Sequence, residues 1–151
     1  MAIKQPKNVT ITQGSTSMKL IWGKSFARNR TESFSETQKF IDSECIRLMV
    51  PYTPMRNGAL YKAATLGTKI GSGEIHYIIP HARYQYYGKL MVSSITGSAF
   101  AARGESKVLT EKDLVYNKAR HPLAQRLWFE TMKHNHKEQI LRGAAAIARR
   151  K

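Results

Sequence analysis

The chain has 151 residues, and 42% of them are hydrophobic, which is enough for one buried core. Twenty-five lysines and arginines stand against ten acidic residues, so the formal net charge is +15. A single cysteine excludes an internal disulfide and a multi-cysteine metal site. Because no apolar run approaches the length that spans a bilayer, we expect a soluble protein made in a cytosol.

The positive charge is concentrated at the two ends of the chain. Residues 1–34 carry six basic and one acidic side chain, and residues 117–151 carry nine basic and two acidic ones. The stretch between them carries ten basic and seven acidic residues. This distribution indicates a nearly neutral core with basic extremities that meet nucleic acid or an acidic protein.

The first 33 residues are polar and read as an N-terminal arm or an edge hairpin. Two alternating stretches, 9–12 and 18–22, flank a loop rich in Gly and Ser, which is typical of a hairpin. Residues 24–30 are basic and lack periodicity, so we favour an arm that becomes ordered on a neighbour. Ser33 and Glu36 have the spacing of a capping box, which predicts that the first long helix begins there. Pro51 predicts its end at Val50.

The middle of the chain predicts a short helix followed by a hairpin. The helix covers 59–64, and the hairpin pairs 65–70 with 74–79 around a Gly-Ser-Gly loop. A third strand, 82–88, follows. Residues 89–112 read as a long inserted loop, with a hairpin between 90–92 and 108–109 as the alternative.

A second long helix is predicted to begin at Pro122, where the missing N–H of proline is no loss. Its apolar stripe runs to Ala148 but is polar over 133–138, so we expect its far end to leave the domain. The predicted fold is α+β: a small antiparallel sheet packed against two main helices. The arm is residues 1–33, and one domain covers 34–151 with the long loop or hairpin 89–112 inserted.

No catalytic constellation is found, so we predict a protein that is not an enzyme and holds no metal or cofactor. His134 and His136 lie two apart on a helix and point to different sides. His81 has no Ser, Cys or paired carboxylate as a partner for base catalysis. Four tyrosines could form a base-stacking platform, but we favour a role in the core or in a subunit interface. They are Tyr77, Tyr84, Tyr86 and Tyr87.

Four stretches, in order, resemble segments of a minor capsid protein of tailed bacteriophages from Gram-positive hosts. That group is similar to the neck or tail-completion proteins of lambda-like siphophages. The stretches are VPYTP with NGAL in 50–60, IHY with ARYQYYG in 75–88, KVLT with DLVY and HPLA in 107–124, and WFE at 128–130. Together they span roughly residues 35–140, and Asn57 departs from the usual Thr. The positions that form the core of the family motif are Pro51, Gly58, Leu60, Tyr77, Tyr84, Gly88, His121, Pro122 and Trp128.

The resemblance implies a structural virion protein, made in the bacterial host cytoplasm, whose copies form a ring in the head–tail connector. The viral genome is ejected through that ring. The implied partners are further copies of the chain, other connector proteins (adaptor, stopper or tail terminator) and double-stranded phage DNA without sequence preference. No membrane is implied. Rings of about six or about twelve copies both fit a closed head-to-tail interface.

Two sets of side chains are the predicted contact sites. Basic residues of the long loop are expected to face the DNA channel or an adjoining ring: Lys89, Arg103, Lys107 and Lys112. The arm and the end of the last helix are expected to contact neighbouring subunits through Lys19, Trp22, Lys24, Arg28, Arg30, Arg142, Arg149 and Arg150. The alternative hypothesis is a cellular protein that binds nucleic acid non-specifically through the tyrosines and the basic ends.

Overall fold

Two long helices packed against each other carry the core of the computed structural model, which describes residues 2–149. The elements in chain order are β1 (Val9–Gln13), β2 (Thr16–Leu20), α1 (Phe26–Met49), a 3-10 turn (Val50–Tyr52), α2 (Ala59–Gly67), α3 (Ala82–Tyr87), β3 (Lys89–Ser93), β4 (Lys107–Asp113) and α4 (Trp128–Ala148). The predicted α+β class is confirmed. The strands form two separate antiparallel hairpins, β1–β2 and β3–β4.

Helix α4 packs along α1 over its whole length, so the prediction that its far end leaves the domain is wrong. Its buried positions include Met132, Ile140 and Ala144. His136 fills the apparent gap in this stripe at the four-residue spacing, with its Nε2 3.2 Å from the hydroxyl of buried Tyr52. The core-facing row is therefore continuous, and the polar residues of 133–138 lie mostly on the solvent side.

Helix α1 begins at Phe26, which makes the capping-box prediction at Ser33 wrong and carries the helix across the expected boundary at residue 33. Ser33 is buried inside the helix, and its hydroxyl donates to the carbonyl of Ala148 at 3.2 Å. Upstream, β1–β2 forms as a hairpin. Gln5 fixes the hairpin's base to the start of α1 by bonding Gly23 and Ala27. The predicted end of α1 before Pro51 is confirmed.

The hairpin predicted over 65–79 does not form. Helix α2 runs to Gly67, and residues 68–80 contain no strand. The chain turns and bends over 70–73 and again at 79–80. The buried carboxylate of Asp42 accepts the N–H groups of Gly71 at 2.7 Å and Gly73 at 3.2 Å. The Asp42 side chain thus accepts hydrogen bonds from N–H groups that would pair with a neighbouring strand in a β-ladder.

Residues 82–87 are helical, so the predicted third strand is wrong. A helical turn places Ala82 and Tyr86 on one face, toward the core. After it, the hairpin alternative for 89–112 is confirmed, with Met91 opposite Leu109 and Val92 opposite Val108.

Helix α4 begins at Trp128, six residues after the predicted start at Pro122. The preceding backbone bonds other elements: Gln125 N–H donates to the Tyr52 carbonyl at 3.1 Å, and Leu127 N–H to the Tyr86 carbonyl at 2.8 Å. To follow this course, Leu127 adopts a left-handed backbone conformation with φ 49°, which is energetically unfavourable for a residue other than glycine. Between residues 2 and 149, no helix has the length and apolarity needed to cross a membrane.

Candidate functional site

An open groove of about 590 Å³ lies where α1, the segment 73–80, α3 and the start of α4 meet. Apolar and aromatic side chains form most of its walls. They include Ile41, Cys45, Ile75, Tyr77, Tyr86, Tyr87, Trp128 and Phe129. We call this surface the aromatic groove. Its size is within the range of sites that bind small ligands or a few side chains of a partner.

Trp128 is the floor of the aromatic groove and is almost completely buried. Its indole N–H donates to the Tyr77 hydroxyl at 2.9 Å. The Tyr86 ring meets the indole edge-on at a centroid distance of 4.9 Å and an angle of 88°. These contacts hold the rings in fixed orientations, so the groove is largely preformed.

Ionisation in the aromatic groove is disfavoured. Burial raises the pKa of Tyr77, and burial also raises that of Tyr86, where the charge of Glu130 adds to the rise. The pKa of the Cys45 thiol is raised by burial and then by the nearby charges of Asp42 and Glu44. Neutral rings and a neutral thiol make this a surface for apolar groups rather than a nucleophilic site.

The described residues contain no group of three or more His, Cys, Asp or Glu side chains that could hold a metal ion. Among them, each buried side-chain nitrogen or oxygen has a hydrogen-bond partner. His121, for example, contacts the Thr53 carbonyl through Nδ1 at 2.7 Å, which requires the proton on that nitrogen.

The four predicted channel cations lie on or beside β3–β4, and two of them hold the hairpin together. Lys89 forms an ion pair with Asp113 at 2.9 Å and lowers the pKa of that carboxyl. The Lys107 ammonium donates to the Ala99 carbonyl at 2.7 Å across the tip loop. Arg103 and Lys112 are exposed. The structure thus leaves Arg103 and Lys112 as the pair best placed to meet an anionic partner.

The residues predicted to contact neighbouring subunits are mostly exposed. Trp22 and Arg30 are the exceptions, because both pack on Phe26: the Trp22 ring centroid lies 4.9 Å away and the Arg30 guanidinium 6.0 Å away. The exposed ones are Lys19, Lys24, Arg28, Arg142 and Arg149. Arg150 lies outside the described residues. These positions form two regions, one around β1–β2 and one at the end of α4.

The motif positions that carry the sequence resemblance divide between core and surface. Gly58, Leu60, Gly88 and Trp128 are buried, and Tyr77, Tyr84 and His121 are partly buried. Pro51 and Pro122 are exposed. Gly58 and Gly88 have positive φ values of 82° and 73°, which explains glycine at both positions.

Sequence reasoning missed the aromatic groove, because its walls come from four elements that are distant in the chain. It also missed Asp42, a lone acidic residue on the helix face. The one usable signal is the cluster of Tyr77, Tyr84, Tyr86 and Tyr87, for which the sequence favours a role in the core or in a subunit interface. In the structure, Tyr77 and Tyr86 pack against Trp128.

Comparison with known proteins adds no relative. No protein-family model, no curated protein and no solved structure matches this chain.

Proposed function

We propose that this protein is a structural subunit of the ring that connects head and tail in a tailed bacteriophage. The observation that carries the proposal is the pair of hairpins that stand outside the core. Between them they expose large apolar side chains: Val9, Ile11, Met18 and Leu20 on β1–β2, and Val108 and Leu109 on β3–β4, with Ile95 and Phe100 on the tip loop 94–106. Phe100 is 84% exposed.

A two-stranded hairpin is marginally stable alone in water, and exposed apolar surface of this extent is typical of an interface. A subunit that assembles through both hairpins covers these side chains. The order of the four resembling stretches supports a connector protein in particular. The exposed cations Arg103 and Lys112 on β3–β4 suit a channel that holds DNA by non-specific, salt-sensitive contacts.

The alternative, a cellular nucleic-acid-binding protein, receives less support from the tyrosines. A stacking platform needs several accessible rings. Tyr77 and Tyr86 instead face Trp128, and only Tyr87 of the four tyrosines is exposed.

The test is quantitative mass spectrometry of purified particles of the phage that encodes this chain, scaled to its major shell protein. We expect the protein in intact particles at the copy number of a single ring, far below that of the shell. Absence from intact particles would refute the connector role and favour the cellular nucleic-acid binder.

A further inference from the structure

The β1–β2 hairpin has one apolar face and one polar face. Its register pairs Val9 with Leu20 and Ile11 with Met18, so these four side chains share a face. They are 45–71% exposed. The opposite face carries the polar residues Thr10, Thr12, Ser17 and Lys19. The hairpin therefore presents a compact apolar surface that its own domain leaves uncovered.

The hairpin does not cover that surface with the aromatic groove of its own chain. Gln5 fixes its base at Ala27, on the first turn of α1. The α1 residues that line the groove lie between Gln38 and Met49, in the second half of the helix. All residues from 9 to 20 are exposed, so the hairpin lies on no part of its own core.

Charge favours another copy of the same chain as the partner. Residues 1–31 contain six basic residues and no acidic one. Asp42 and Glu44 lie in the second half of α1, just before Cys45 in the chain, and Glu74 lies on the segment after α2. Asp42 lines the aromatic groove, and Glu74 lies between the lining residues Gly73 and Ile75. Arg83 is the one basic residue among those that line it. The basic residues around the hairpin are thus attracted to the groove, where Asp42 and Glu74 outnumber Arg83.

We propose that the apolar face of the β1–β2 hairpin of one copy docks into the aromatic groove of the next copy. The inference rests on the proposed function only in taking the protein to be an assembling subunit. The hairpin and the groove lie at different ends of α1, so each copy donates one surface and accepts another. Such a head-to-tail contact closes into a ring when its rotation allows.

The native Cys45 in the groove gives a direct test with the full-length chain. Met18→Cys adds one thiol to the apolar face, and diamide then oxidises adjacent thiols to a disulfide, taking up the two electrons and two protons. We expect a ladder of dimers, trimers and higher multimers on non-reducing gels. The oxidation should be carried out above about pH 8.5, because burial raises the pKa of the Cys45 thiol.

Three controls identify the contact. Lys19→Cys places the thiol on the opposite face of the hairpin and should give at least fivefold less ladder. Cys45→Ser combined with Met18→Cys should abolish the ladder. The unmodified chain, with one cysteine, can form no product larger than a dimer. Dimers that persist in the double variant at the same yield would mean that hairpins pair with each other, which overturns docking in the groove.

A second measurement does not depend on thiol chemistry. Ile11→Asp should raise the protein concentration needed for assembly at least tenfold in sedimentation velocity, while Thr10→Asp on the polar face should change it less than threefold. The hairpin lies outside the core, so Ile11→Asp leaves the fold intact by circular dichroism. Equal effects of the two variants would contradict the proposal.

The outcomes separate the docking contact from the connector role. An oligomeric wild type without a ladder overturns the contact and leaves the connector role standing. A ladder from a protein that is absent from phage particles supports the contact and refutes that role. A protein that stays monomeric and forms no ladder overturns the contact, and the connector role is then decided by the presence or absence of the protein in phage particles.

Discussion

Single polar side chains supply hydrogen-bond partners to other elements at two points. The Asp42 carboxylate accepts two backbone N–H groups of 71–73, and its other oxygen accepts the Gln38 amide at 2.7 Å. His136 and Asn135 both contact the hydroxyl of buried Tyr52. Asp42 thus replaces partners that a β-ladder would supply to the backbone, and His136 and Asn135 satisfy the hydroxyl of a buried tyrosine.

The bond between Tyr77 and Trp128 leads to the first prediction. Tyr77→Phe leaves the buried Trp128 N–H without its acceptor, which should lower the free energy of unfolding by about 1–3 kcal/mol. Urea denaturation followed by tryptophan fluorescence measures this loss. Tyr87→Phe, at the exposed neighbour, should change it by less than about 0.5 kcal/mol. An equal loss in both variants would contradict the role of the bond.

The same substitution should alter the pH dependence of stability. Burial raises the pKa of Tyr77 in the folded chain above its unfolded value of about 10. Its stabilising contribution is therefore complete below about pH 10 and is lost as pH rises through the folded value. The stability difference between wild type and Tyr77→Phe should shrink above about pH 10. A difference that stays constant in that range would be inconsistent with this assignment.

At the level of elements, one small residue determines how closely α1 and α4 can pack. Gly143 on α4 faces the Phe40 ring of α1 so closely that an added Cβ would overlap the ring. Glycine inside a helix normally costs about 1 kcal/mol relative to alanine. Here the absence of a side chain at Gly143 lets the two helices pack along their full length. They meet from the Ser33–Ala148 bond to the core residues Leu48 and Met49.

Gly143→Ala should therefore destabilise the protein, against the helix propensity of alanine. We expect a loss of about 1–3 kcal/mol, because the Phe40 ring must shift out of its place in the interface. Equilibrium unfolding in urea measures it. The double variant with Phe40→Leu removes the overlapping ring atoms and should be less destabilised than additivity of the single changes predicts. A more stable Gly143→Ala variant would show that the helices can move apart at no cost.

At the scale of the whole molecule, the net charge of +15 is spread unevenly over the surfaces that remain exposed. Two of the four predicted channel cations are used inside the β3–β4 hairpin, so their replacement would disturb its structure as well as its charge. Substitutions at Arg103 and Lys112 therefore test the electrostatic contribution to DNA binding alone.

Neutralising these two residues should weaken binding to duplex DNA mainly at low salt. If each contacts one phosphate, Arg103→Gln with Lys112→Gln should reduce the slope of log affinity against log salt by about 2. Fluorescence anisotropy at several salt concentrations measures the slope. Lys137→Gln, an exposed change on α4, is the control and should leave it unchanged. If Lys137→Gln lowers the slope as much per removed charge as the double variant does, the attraction to DNA is diffuse and the β3–β4 hairpin does not face the DNA.

The sequence alone determined the α+β class and the end of α1, and it offered the pairing of β3 with β4 as the alternative to a long loop. Each of these depends on local rules: helical periodicity before Pro51, the restriction that proline places on Val50, and apolar residues on two short strands. The concentration of basic charge at the two ends is likewise a property of the sequence.

Only the tertiary structure decided that 68–80 stays unpaired, that 82–87 is helical, and that α4 starts at Trp128. The contacts responsible join distant residues, such as Asp42 with Gly71, and the Gln125 N–H with the Tyr52 carbonyl. Local preferences differ by only about 1 kcal/mol or less per residue, so a few long-range hydrogen bonds and a buried tryptophan override them. The aromatic groove exists for the same reason: its walls meet only when four elements pack together.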